Sequence, residues 1–197
     1  MPIVIASNNL KKSQELEHIF TAENIPTISQ AKLQITSVAE TGLTFIENAI
    51  LKARNACKYT NMPAIGDDSG LEVDAIAKRP GIYSARFAGV AATDNDNIMK
   101  LLEELRHIPK PERQARFQCV MVFMKEANDP TPIICQGTWE GTITLAPEGK
   151  SGFGYDPVFL VPDYNCTAAQ LPLEIKNQIS HRAQALRKLI TTIKNII

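Results

Sequence analysis

Apolar positions follow two spacings along the chain. Ile3-Val4-Ile5-Ala6 is a continuous run, as in a strand buried on both faces. After the polar hexad Ser7-Asn8-Asn9-Leu10-Lys11-Lys12, Leu16, Ile19 and Phe20 recur at helical spacing, so the hexad sits on a strand-to-helix turn. Residues 36–38 read as a short β-prone piece. Thr44 and Glu47 have capping-box spacing at the head of a long helix, whose apolar stripe is Phe45, Ala49, Ala53 and Ala56. Asn48 and Lys52 share its adjacent polar face. A second helix starts at Asp94, carries Ile98, Leu101, Leu102 and Leu105 on one side, and ends before Pro109 and Pro111. Residues 117–124 are nearly all apolar, which predicts the central strand of the sheet. A turn at Asn128-Asp129-Pro130 leads to strands predicted over 133–139 and 141–145, a β-meander added to the α/β start. Ser180 caps a last helix with the stripe Leu186, Leu189, Ile190, Ile193 and Ile197.

No linker, repeat or low-complexity tract interrupts this order, so one domain over residues 1–197 is expected, with loops at strand ends lining a cleft. A hydrophobic content of 44% excludes disorder. Lys plus Arg and Asp plus Glu number 21 each, so no bulk charge draws the chain to nucleic acid or to an anionic membrane, and any phosphate binding is local. The first apolar run is too short for a signal-peptide core, and no stretch nears the ~20 apolar residues of a membrane span, so a cytoplasmic location is expected. Cys57, Cys119, Cys135 and Cys166 lie far apart without a C-x-x-C pair, as reduced core thiols do.

Candidate chemistry concentrates at Gly66-Asp67-Asp68-Ser69-Gly70. Adjacent carboxylates repel, and a divalent metal is the usual reason to accept that cost. The flanking glycines suggest a strand ending in a tight turn, with both side chains leaving the pleat to converge; a solvated acidic turn is the plainer alternative. With Glu47 engaged in capping, Glu40 in the preceding loop is the freer carboxylate for a metal. In the hexad, Ser7, Asn9 and the lysines suit phosphate oxygens at free helix N–H groups, although an ordinary N-cap also fits. Gly149 to Asp156 alternates glycine with aromatics, so Phe153 or Tyr155 can stack on a base and Asp156 can accept a hydrogen bond. His181 and Arg182 in the first turn of the last helix oppose its dipole, a penalty that a bound anion or base carbonyl, met also by Lys176, turns to use.

Six blocks, in order, resemble the inosine/xanthosine triphosphate pyrophosphatase family. They are Ser7-Asn8-Asn9-x-x-Lys12, Glu40-Thr41-Gly42-x-Thr44-Phe45-x-Glu47-Asn48-Ala49, Asp67-Asp68-Ser69-Gly70-Leu71, Pro80-Gly81-x-Tyr83-Ser84-Ala85-Arg86, Phe153-Gly154-Tyr155-Asp156 and Ser180-His181-Arg182. The resemblance implies an elongated α/β protein, a mixed β-sheet with flanking helices and two lobes around a central nucleotide cleft. It also implies a homodimer that uses Mg2+ to hydrolyse non-standard purine nucleoside triphosphates (ITP, dITP, XTP) to the monophosphate and pyrophosphate. It makes Asp68 the general base and a metal carboxylate, with Asp67 and Glu40 supporting the metal. Ser7, Asn8, Asn9, Leu10, Lys11 and Lys12, with Ser69, would hold the triphosphate. Phe153, Gly154, Tyr155, Asp156, Lys176, His181 and Arg182 would hold the base, and Lys52 would stabilise the departing pyrophosphate. The chain departs from the family pattern at Asn8 and Lys11, where members often carry glycine, and at Gly66, where alanine is common and little effect is expected. A pyrophosphatase for pyrimidine or modified nucleotides and a non-catalytic nucleotide-binding module are the alternatives.

Overall fold

The computed structural model describes residues 1–7 and 9–196, with Leu10, Lys11 and Glu15 described by backbone alone. Asn8 and Ile197, both singled out from sequence, lie outside the described residues. The strands are β1 (Ile3–Ala6), β2 (Thr27–Ser29), β3 (Ala64–Val73), β4 (Gln114–Met124), β5 (Ile133–Ile143), β6 (Phe159–Val161) and β7 (Cys166–Thr167). The helices are α1 (Leu10–Ala22), α2 (Phe45–Thr60), α3 (Asp94–Glu104), α4 (Leu173–Ile179) and α5 (His181–Lys194). One mixed sheet runs in the order β2-β1-β3-β4-β5-β6-β7, so the expected α/β class holds and β4 is the central strand. β1 pairs in parallel with β2 and β3, while β5, β6 and β7 pair antiparallel. Among the described residues no helix is long and apolar enough to cross a membrane.

The chain forms two compact units: Met1–Asp68, Cys119–Gln136 and Ala185–Ile197 make the first, and Ser69–Gln118 with Gly137–Gln184 the second. In the first unit both faces of the sheet are covered, which is why β1 and residues 119–124 of β4 are apolar at every position. Ile3, Ile5, Cys119, Met121 and Phe123 face α1 and α5 through Leu16, Phe20, Leu186 and Leu189. Val4, Ala6, Val120, Val122 and Met124 face α2 through Ala49, Ala53 and Ala56. The second unit has a single aromatic core in which Phe117, Trp139, Tyr155 and Phe159 meet Leu101 and Leu105 of α3. Three cysteines are buried and Cys166 is half-buried, all as free thiols.

Four expectations change. The two strands predicted over 133–139 and 141–145 merge into the single strand β5; Gly141 lies within it, and its missing side chain makes room for the Phe159 ring, whose Cζ would stand 2.5 Å from a Cβ there. Residues 36–38 are irregular, and the strand beside β1 is the three-residue β2, which ends seven residues before that piece begins. The helix α4 lies between Pro172 and Ser180, just ahead of the last helix. Most consequential, β3 does not end at the aspartates but runs unbroken through Gly66-Asp67-Asp68-Ser69-Gly70.

Gly66 explains that continuity. A Cβ on it would collide with the Ala49 carbonyl oxygen and stand 2.8 Å from the Ala53 nitrogen, so glycine here lets the backbone of α2 lie directly on β3 rather than turning the chain. Little was expected of this position, yet α2 cannot keep its place over any larger residue. Gly66→Ala should therefore cost about 1–3 kcal/mol, read as a lower urea midpoint; an unchanged midpoint would contradict the close approach.

Candidate functional site

A strand sends successive side chains to opposite faces, so a continuous β3 separates Asp67 from Asp68 instead of letting them converge. Asp67 follows Ile65 toward the α1 side, where Lys12 meets its Oδ2 at 3.3 Å. Asp68 follows Gly66 toward α2, where Lys52 Nζ donates to its Oδ1 at 2.9 Å and the Asn48 amide to its Oδ2 at 3.4 Å. Each buried carboxylate thus has a cation of its own, on its own side of the sheet.

Lys52 is the hub of the α2 side. Its ammonium also reaches Glu40 Oε1 at 2.8 Å and the Asp67 carbonyl oxygen at 2.7 Å. Burial alone would lower its pKa, but the charges of Asp67, Asp68 and Glu40 outweigh that and push it up from 10.5 to about 12. Burial raises the Asp68 pKa above the ordinary carboxylate value; Lys52 opposes the shift, and Glu40 and Asp67 add to it. Asn48 is fully buried, its Oδ1 accepting the Gly42 N–H at 2.8 Å while its amide faces Asp68. It therefore ties the loop that carries Glu40 to the aspartate. Sequence spacing put Asn48 on a polar face beside Lys52, and the second of the six blocks includes it, but neither tied it to Asp68; the missing side chain at Gly66 brings that face onto the strand.

The donor chemistry suits a hard divalent cation, because carboxylate oxygens of Glu40 and Asp68 converge on one point, now the Lys52 ammonium. Among the described residues no three His, Cys, Asp or Glu side chains are grouped to hold a metal by themselves. Mg2+ commonly takes one or two carboxylates and completes its shell with water and substrate phosphate, so two converging carboxylates fit it.

Ahead of α1, Asn9 is the N-cap, its side chain accepting the Lys12 backbone N–H at 3.1 Å. Ser7 is buried and its Oγ accepts the Asn9 N–H at 3.3 Å. The hexad is a strand-to-helix turn as expected, with Asn8 outside the described residues and the side chains of Leu10 and Lys11 not described. Ser69, half-buried, follows Asp68 on β3 as the first residue of the second unit.

A second group lies wholly in the second unit. Asp156, 3% exposed, accepts the Phe153 N–H at 2.9 Å and pairs with Lys176 of α4 through the same oxygen. Gly152, at φ +81°, is glycine by necessity, since a Cβ would collide with that oxygen and come within 2.9 Å of Asp156 Cγ. The Phe153 ring is 37% exposed, with the Lys176 ammonium and the Arg182 guanidinium each 5.2 Å from its centroid. Tyr155 differs from its neighbour: its ring is in the core, its hydroxyl donates to the Ser84 carbonyl at 2.8 Å, and burial raises its pKa. Of the two aromatics expected to meet a base, only Phe153 presents a face. The buried His181 ring stacks on Phe117 with centroids 4.8 Å apart, and lies 6.3 Å from Trp139.

A model of the Ham1 family matches residues 3–192. The chain belongs to the Ham1 family. It is 52% identical over 193 residues to the dITP/XTP pyrophosphatase of Shigella flexneri, 98% of each chain being covered. It is similar in structure to a HAM1 protein from Coxiella burnetii, with a TM-score of 0.94 and 47% identity over 99% of both chains. The Ham1 protein of Staphylococcus aureus gives a TM-score of 0.89 and 42% identity over 99% of both. Ham1 membership and the six sequence blocks span the same length of chain, so the resemblance drawn from the blocks holds.

The Lys52 contacts carry a prediction. Because its pKa rises from 10.5 to about 12 on folding, the ammonium contributes stability that is complete below pH 10.5 and lost as pH climbs through 12. Lys52→Met leaves Glu40 and Asp68 facing each other without a cation, and should cost about 3 kcal/mol at pH 8. The deficit should be smaller at pH 5 than at pH 8, because protonation of Asp68, already favoured by burial and favoured further without Lys52, relieves the unpaired charge. Urea denaturation at the two pH values reads it; a deficit independent of pH would refute the pairing.

Proposed function

We propose that this chain hydrolyses ITP, dITP and XTP to the monophosphate and pyrophosphate, and so clears non-standard purines from the nucleotide pool. The observation that carries the reading is Asp68, a buried carboxylate of raised proton affinity held between Lys52 and Asn48, in a Ham1-family chain about half identical to dITP/XTP pyrophosphatases. As general base, Asp68 takes a proton from the attacking water. A carboxylate whose pKa is raised by burial does this better than an exposed one. Lys12 and Lys52 place positive charge where negative charge accumulates on the departing pyrophosphate. Asn48 fixes the orientation of the Asp68 carboxylate.

Glu40 and Asp68 are the residues that would hold Mg2+; Asp67, also expected at the metal, lies on the other face of β3 and would support the site through Lys12. When bound, the ion neutralises polyphosphate charge and lowers the pKa of a coordinated water. Ser7, Asn8, Asn9, Leu10, Lys11, Lys12 and Ser69 hold the triphosphate. For the base, Phe153 supplies the stacking face, Gly154, Tyr155 and Asp156 shape its loop, and Lys176, His181 and Arg182 supply hydrogen-bond donors. Donors aimed at a 6-oxo group reject adenine, whose 6-amino group would leave them unpaired. The two units work as one nucleotide-hydrolysing domain, and the enzyme acts as a cytoplasmic homodimer.

Initial rates across a nucleoside triphosphate panel, with and without Mg2+ and with pyrophosphate and phosphate both measured, test this reading. Mg2+-dependent pyrophosphate release should favour ITP, dITP and XTP over ATP and GTP. Equal rates on all would refute the base preference, preferred hydrolysis of pyrimidine or modified nucleotides would redirect it, and binding without turnover would leave a nucleotide-binding module. Asp68→Asn keeps the shape of the side chain and removes the base, so turnover should fall at least ~10²-fold. A folded Asp68→Asn protein with full turnover would end the role assigned to Asp68.

A further inference from the structure

The ring-bearing loop at 152–156 has two anchors, and one comes from outside the motif blocks. Asp156 holds the Phe153 N–H from within the loop, at 2.9 Å. The next backbone N–H, that of Gly154, is held at 2.7 Å by Asp94 Oδ2, a residue 60 positions earlier at the start of α3. Gly154 sits at φ +60°, in the left-handed region. Two consecutive N–H groups are therefore each bound to a different carboxylate, one on either side of the Phe153 carbonyl. They belong to the two peptide planes that meet at the Phe153 Cα, so together they fix the direction in which the Phe153 side chain leaves the backbone.

Asp94 is not needed where it would ordinarily be used. An acidic residue in the first turn of a helix usually serves the N-terminal cap or the helix dipole. In α3 the cap is complete without it: Thr93 Oγ1 accepts the Asp96 N–H at 3.2 Å, and Asp96 Oδ2 accepts the Thr93 N–H at 2.8 Å and its hydroxyl at 2.7 Å. The carboxylate of Asp94 is turned instead to the neighbouring loop. Tyr155 secures the far side of that loop, its hydroxyl donating to the Ser84 carbonyl.

We propose that Asp94 is a positioning residue for base recognition: through the Gly154 N–H it sets the Phe153 ring in the orientation on which the purine stacks. The inference rests on the base-binding reading of this loop. Removing the carboxylate frees the ring to leave its stacking orientation, which weakens the base contact and leaves the chemistry at Asp68 intact. The loss of one exposed charge-assisted hydrogen bond corresponds to about three- to tenfold in affinity.

The test compares wild type, Asp94→Ala and Asp94→Asn. In Asp94→Ala the KM for ITP should rise about three- to tenfold with kcat within about twofold. The inhibition constant of inorganic tripolyphosphate, which has no base, should not change. Hydrogen exchange of a peptide covering residues 152–155 should quicken in the same variant. Asp94→Asn keeps an oxygen acceptor for the Gly154 N–H and should restore both KM and exchange. A contribution through the helix dipole alone would be lost equally in Asn and Ala, and that result overturns the proposal. So does an Asp94→Ala protein with wild-type KM and exchange, or one in which tripolyphosphate binding weakens in parallel. Should the wild-type protein hydrolyse no nucleotide, the functional reading fails, and unchanged exchange in Asp94→Ala would separately end the role in holding the loop.

Discussion

Everything at the carboxylate site depends on pairing each buried aspartate of β3 with a lysine from a different helix. Two adjacent ionised carboxylates that left the strand together would have to share one low-dielectric space. The pleat prevents this by sending Asp67 toward Lys12 on α1 and Asp68 toward Lys52 on α2. The repulsion that made the sequence pair look costly is thus reduced by the geometry of an unbroken strand. The same arrangement distinguishes the two acids chemically: Asp68 also faces Asn48 and Glu40, and burial raises its proton affinity.

Where one kind of neighbour surrounds an element, the sequence was legible. Strands β1 and β4 are covered on both faces and were readable from continuous apolar runs. Thr44 announced α2, and its side chain does accept the Glu47 N–H. Glycine was the ambiguous letter. At Gly66 local rules gave a turn and at Gly141 the start of a new strand, whereas the structure uses each for close approach, of a helix backbone in one case and an aromatic ring in the other. A glycine that turns the chain and a glycine that admits a neighbour are written alike, and only contacts distant in sequence tell them apart. Strand β2 and helix α4 escaped because three and seven residues are too few to establish a period.

The candidate site was legible in its charged members and not in its supports. Lys12, Lys52, Asp67 and Asp68 could be named from residue type, but the tie of Asn48 to Asp68 could not, because an asparagine beside a lysine on a helix face is ordinary until the helix is known to rest on the strand. For the aromatic loop, Phe153 and Tyr155 were equivalent on paper; burial separates them into an exposed ring and a core ring tied to Ser84.

Gly66 carries one more consequence. Three alanines of α2 and one glycine of β3 bring helix and strand together almost main chain to main chain, with no flexible side chain between them. The separation of the two main chains that carry Lys52 and Asp68 is therefore set by the thickness of the polypeptide backbone itself. A main-chain gap set that way does not drift as core side chains repack, so the two ends from which the Lys52 and Asp68 side chains reach each other are held by a position that has no side chain at all.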